Sequence, residues 1–215
     1  MIAGIGADLF VGEPCWRNLL FVSLNKKSWP DIEQSVKTNH GHKMKRDIIP
    51  TSIERTMRED DLIVSKTDLK GRIAYGNRIF IEYSGYSVQE LLGSQHNIIR
   101  HPDMPRAIFK LLWDRIEARK ECCAYIKNLV KDGSFYWVFA TITPSYDANK
   151  QLTGYLSVRR KPNEMAVKFM SGLYTSMLEA EKRAGARDAI AASTKILESV
   201  LSERGLSYDE LMFTL

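Results

Sequence analysis

The sequence predicts an α+β domain: a five-stranded antiparallel sheet with short helices on one face, followed by a C-terminal helical extension. Three observations carry this. Strand-like apolar runs come as a pair around "DLKG" at residues 68–71 and as a triplet over residues 122–160, with turn signals between them. One strongly periodic helix, "DMPRAIFKLLWDRIEARK", lies between the two groups. After Pro162 the pattern is helical throughout.

The elements follow in order. "DLIVSKTDLKGRIAYGN" reads as strand, turn, strand, and "NRIFIEYSGYSVQELLG" as two short helical stretches around "SGY", the second stopping at Gly93. In the longer helix Asp103 is expected to cap the start and Pro105 to occupy the first turn. "CCAYIKNLV" and "SFYWVFATITPSYD" are strands joined by "KDGS", and "ANKQ" leads into "LTGYLSVRR", which Pro162 ends. Beyond it, Ala166, Met170, Leu173 and Met177 repeat in a heptad-like seam that continues with Ile190, Leu197, Val200 and Leu201. Such a seam either folds back on its own domain or pairs with another chain. The organisation is an irregular N-terminal extension over 1–50, an α+β domain over 60–162 and a helical segment over 163–215.

Bulk properties narrow the function. The chain has 215 residues, 44% hydrophobic and 27% charged, the balance of a globular protein. No apolar run reaches the roughly 18 residues of a transmembrane helix, so no direct membrane insertion is expected. The start lacks a basic stretch before an apolar one, so no signal peptide is expected. The three cysteines, Cys15, Cys122 and Cys123, are odd in number, and adjacent Cys122 and Cys123 are badly placed to bridge each other; a reducing cytoplasm is expected. The formal charge of +5 comes from basic residues spread among acids, with no basic stripe, so no nucleic-acid partner is expected. His40 and His42 lack a cysteine or carboxylate cluster and read as solvated loop. Met44 would serve as a natural start, and residues 1–43 are expected to be dispensable. There is no Ser-His-Asp order, no metal-spaced cysteine set and no phosphate-cradling glycine loop, so an enzyme is not expected.

The candidate site residues gather around the long helix. Phe109 and Trp113 stand four apart on one stripe with Ile116, which can line an aromatic ligand or only pack on the sheet. In "YIKNLV", alternation puts Cys122, Ala124, Ile126 and Asn128 on one face and leaves Lys127 to face water. An inward Asn128 needs a partner; it either meets a ligand or bonds backbone at the strand end. His96, Asn97, Arg100, His101 and Asp103 flank the helix entry, where Arg100 and His101 can donate to phosphate or to a ring edge, or the histidines can be plain loop residues.

"TDLKGRIAYGN", "SGYSVQELLG", "HNIIRHPDMPRAIFKLLW", "IKNLVKDGSFYWV" and "GYLSVRR" occur in that order. Together they resemble a PAS domain, and more narrowly the FAD-holding PAS sensor of bacterial aerotaxis receptors; about half the chain is covered. The chain looks most like the stand-alone PAS protein of split energy-taxis receptors, in which a separate membrane-bound transducer carries the signal. The resemblance implies FAD as cofactor, Trp113 and Asn77 at pocket positions, and Tyr136, Val138 and Ala140 turned inward. Cys122 stands where the family often has Trp, and Glu121 where it often has Pro. The photoadduct cysteine of LOV domains is missing from "GSQHNIIRH". The first expectation is therefore a cytoplasmic redox or oxygen sensor that passes its signal to a chemotaxis transducer. A PAS sensor with haem b on His96 or His101, and a cofactor-free interaction module, are the alternatives. A homodimer through the terminal helices is a further expectation.

Overall fold

The computed structural model describes residues 48–215. The expectations on Cys15, His40, His42 and a dispensable stretch 1–43 lie outside the described residues. Five antiparallel strands, β1 (Ile63–Thr67), β2 (Ile73–Gly76), β3 (Cys122–Leu129), β4 (Phe135–Tyr146) and β5 (Leu152–Arg160), form one sheet in the order β2-β1-β5-β4-β3. Between β2 and β3 come α1 (Arg78–Ser84), α2 (Val88–Leu91), a 3-10 turn (His96–Ile99) and α3 (Arg106–Glu117); α4 (Glu164–Arg204) and α5 (Tyr208–Thr214) follow the sheet. The fold class is the one the sequence predicts.

Local chemistry explains the boundaries. In the first hairpin the Asp68 carboxylate accepts from the N–H groups of Lys70 and Arg72, and Gly71 takes φ +73°, a conformation side chains resist. Asn77 caps α1 by accepting from the Phe80 N–H at 3.0 Å, and Ser87 with Glu90 forms a capping box on α2. The start of α3 departs from expectation. Its first helical residue is Arg106, Pro105 precedes it, and neither Pro105 nor Asp103 caps it. Asp103 sits too far back along the chain, and its carboxylate pairs with Lys127 at 2.7 Å. The Arg106 N–H donates instead to Glu181 of α4 at 2.7 Å.

The terminal helices settle the seam. Gly185 leaves helical geometry (φ 73°, ψ 175°) and divides α4 into two arms. The Arg204 guanidinium lies 4.4 Å from the centroid of the Phe169 ring. In a straight helix those residues would stand about 50 Å apart, so the second arm folds back along the first. Ala166, Met170, Leu173, Met177 and Leu197 are buried by this folding, whereas Ile190 stays 40% exposed. The seam closes within the chain.

That return also corrects one strand. Lys127 was expected in water, because sheets of this kind commonly leave one face wet. Here α4 and α5 cover the outer side of β3: the Tyr174 hydroxyl donates to the Tyr125 carbonyl at 2.7 Å and the Tyr208 hydroxyl to the Cys123 carbonyl at 3.0 Å. Lys127 is mostly buried, its ammonium 4.2 Å from the Phe135 ring centroid.

Candidate functional site

The strand register assembles a polar lining on the inner face, under α1–α3. Asn128 lies opposite Tyr136, Arg159 lies between Ala140 and Ile63, and Ser65 lies opposite Ser157. Because side chains alternate along each strand, Asn128, Tyr136, Arg159, Ser157 and Ser65 all point the same way. Asn128, Tyr136, Ser65 and Arg159 are buried, Arg159 to 2% exposure. Asn128 thus faces inward, as alternation required.

Arg159 is the unusual member. Its Nε donates to Ser157 Oγ at 3.1 Å, and Nη2 reaches Ser65 Oγ and, at 2.8 Å, His96 Nε2. Its plane sits 5.1 Å from the Phe80 ring centroid, and Phe80 stacks on His96 with centroids 5.7 Å apart. Its Nη1 has no hydrogen-bond partner, and among the described residues no carboxylate pairs with it. A buried cation without a counter-charge is costly, and burial lowers this guanidinium to about 10. Burial, with the charge of Arg159 beside it, pushes His96 down to about 3, so the imidazole is neutral. With Nε2 facing the guanidinium N–H, that nitrogen accepts.

Two more polar atoms on this face are buried and unpaired: the Asn128 side-chain nitrogen and the Tyr136 hydroxyl. Burial raises that phenol to about 12, so it stays protonated. The donors of this set suit the polar edge of a flavin ring. Its pyrimidine edge is rich in acceptors, and the lining offers donors from Arg159, Asn128 and Tyr136. Cys122, also inward and fully buried, has a thiol pushed up to about 12 by burial and is unreactive.

The other expected residues are placed differently. Asn77 spends its amide on backbone: the oxygen accepts from Val64 and Phe80, and the nitrogen donates to the Leu62 carbonyl. Trp113 meets Tyr155 edge-on with centroids 5.7 Å apart and lies over Gly71, at the far end of the inner face from Asn128. Phe109 is covered by the Arg100 guanidinium, 4.3 Å from its centroid, and Arg100 also donates to the Met104 carbonyl at 2.9 Å. His101 is buried, accepts from the Asp103 N–H through Nδ1, and packs edge-on against Phe135, an outer-face residue. The loop therefore sends His96 to the inner cluster and His101 to the other side of the sheet edge.

Sequence reasoning missed Arg159, Ser157 and Ser65. No sequence signal marked them, because in β5 the apolar Leu156 and Val158 are partly exposed while Tyr155 and Arg159 on the alternate face are buried. A groove of about 550 Å³, lined in part by Met57, Phe135, Trp137 and Val167, opens on the outer face instead of between α3 and the sheet. The inner face is closed over by its helices, with Ile108, Ile116 and Val138 all buried.

Comparison with known proteins agrees with the topology. Residues 73–159 match the family described as PAS fold, and this part of the chain has that fold. The chain is 35% identical over 119 residues to the aerotaxis receptor of Escherichia coli (strain K12), a match covering 55% of this chain and 23% of that protein. It is 30% identical over 97 residues to the nitrogen fixation regulatory protein of Klebsiella pneumoniae, covering 45% and 20%. The matched region is thus less than a quarter of either relative's length. Among solved structures, the PAS domain of a Colwellia psychrerythraea protein superposes with TM-score 0.43 at 27% identity, over 47% of this chain and 86% of that one. The light-state structure of the blue-light photoreceptor Aureochrome1 LOV gives 0.45 at 18%, over 56% and 92%. Relatives of this kind are signalling modules. Among the described residues, no helix is long and apolar enough to cross a membrane, and no cluster of three His, Cys, Asp or Glu can hold a metal ion.

Proposed function

We propose that this chain is a cytoplasmic redox sensor that holds FAD on the inner face of its PAS sheet and signals to a membrane-bound chemotaxis transducer. One observation carries the reading: three buried donors, on Arg159, Asn128 and Tyr136, end unpaired on a single face. Similarity to an aerotaxis receptor supports the pathway, and the family resemblance of "HNIIRHPDMPRAIFKLLW" supports the flavin. When bound, the flavin supplies a ring whose charge and protonation change on reduction. Arg159 supplies the positive charge that responds to that change. His96 stays neutral and holds Arg159 in place; Asn128 and Tyr136 orient the polar edge. Trp113 and Phe109 lie on the apolar side, and Arg100, with His101, belongs to the loop that closes it. Signalling requires that the oxidised and reduced forms differ in interaction energy with these groups.

Haem b is the weaker reading on geometry. His96 Nε2 is engaged by Arg159 and Ser65, and the acceptor role of His101 Nδ1 leaves its Nε2 protonated. The test is an absorbance spectrum of freshly purified protein before and after dithionite, with mass analysis of released nucleotide. Yellow protein that bleaches and releases FAD is expected. Colourless, folded protein without nucleotide contradicts the proposal, and a Soret band would establish haem in its place.

A further inference from the structure

Both ends of α3 are held by the C-terminal segment. At its start, where no side chain of the preceding loop caps the helix, the Arg106 N–H donates to Glu181 Oε1 at 2.7 Å. Glu181 is itself buried, at 9% exposure. Burial lowers the Arg100 guanidinium, and the Glu181 charge opposes that lowering; Arg100 is the residue that covers Phe109 and binds the Met104 carbonyl. At its end, Arg115 pairs with Asp209 of α5 at 2.5 Å. The Tyr208 hydroxyl anchors the same short helix on the Cys123 carbonyl.

We propose that the C-terminal arm is a two-point clamp on α3, and that Glu181 is the contact through which a rearrangement of residues 96–105 reaches α4 and α5. The step from coupling to signalling rests on the inner face being a ligand site, since a ligand gives that loop two states. The physical reason is reciprocal. If the loop shifts the first turn of α3, Glu181 loses its hydrogen-bond donor and is left as a buried carboxylate with an unmet acceptor, which favours undocking of the arm. If the arm undocks, the first turn of α3 loses its cap and the loop loosens.

The test is amide hydrogen exchange by mass spectrometry on the full chain, with nucleotide content measured on the same samples. Glu181→Ala is expected to speed exchange about fivefold in residues 98–108 and, together with it, in residues 186–214. Glu181→Gln keeps an acceptor oxygen and is expected to stay within about twofold of the parent. If Glu181→Ala does not fold, the partly exposed Asp209→Asn serves at the other end and should loosen residues 112–118 and 207–214 together. Exchange that rises in one segment of a pair and not in the other overturns the clamp. Linked exchange in protein that carries no nucleotide upholds the clamp and sinks the cofactor reading. Unlinked exchange in flavin-loaded protein does the reverse.

Discussion

On the outer face of β3 and β4, Trp137 stacks on Tyr174, and the hydroxyls of Tyr174 and Tyr208 end on strand carbonyls. On the inner face, Asn128 of β3, Tyr136 of β4 and Arg159 of the adjacent β5 keep donors with no acceptor among the described residues. The two faces are buried to a similar degree but finished differently. Where Tyr174 and Tyr208 dock, protein groups complete the outer face, so that part contributes stability. The inner face is left short of acceptors around a charge that no carboxylate among the described residues pairs with, so it lowers stability until something else fills that role.

The largest effect that would sharpen this contrast is on the outer side. Trp137→Ala should destabilise the folded chain by about 3–5 kcal/mol in urea unfolding, because it removes a buried ring from a packed interface. A smaller loss would mean that the C-terminal arm does not pack as described.

Acid should expose the inner side next. The His96 pKa falls to about 3 in the folded protein from an ordinary 6.5, and that of His101 falls to about 4. Between those values and 6.5 the unfolded chain binds more protons than the folded one. The stability is therefore fully present above pH 6.5 and is lost as pH falls toward 3–4, at up to about 1.4 kcal/mol per pH unit for each histidine. Urea midpoints taken from pH 7.5 down to 4.5 should fall steadily, and His96→Gln should flatten part of the slope. A slope unchanged by that substitution would place His96 outside the buried cluster.

Two hydroxyl deletions make the finest comparison. Tyr174→Phe should cost about 1 kcal/mol, since the Tyr125 carbonyl loses its donor. Tyr136→Phe should cost ligand-free protein nothing or stabilise it by up to about 1 kcal/mol, since its hydroxyl has no partner to lose. Equal losses in the two variants would erase the distinction between the faces.

Much of the fold was legible because local and global signals agree. "DLKG", "KDGS" and Gly85 sit where turns and helix ends require them, and the period changes from two to helical at the strand boundaries. The inward turn of Asn128 followed from alternation with Lys127 assigned to water, and it holds although Lys127 is itself mostly buried. The helix cap did not, because the acceptor comes from Glu181, 75 residues beyond the N–H it serves. Lys127 was misjudged for the same reason: nothing in β3 announces that α4 will pack on its outer side. Arg159 was hidden by its neighbours, since apolar Leu156 and Val158 mark the wrong face of β5 as the buried one. His96 and His101, five residues apart in one polar loop, look equivalent in sequence and go to opposite sides of the sheet edge.

The inner face as a site completed by a ligand is tested most directly by Arg159→Met, with released nucleotide and urea unfolding measured on the same preparation. Parent protein should release flavin. The variant should release none while remaining folded, and it should be at least as stable as parent protein stripped of nucleotide, because a buried uncompensated charge has been replaced by an apolar side chain. A variant that keeps its flavin, or that loses several kcal/mol against the stripped parent, would contradict the account.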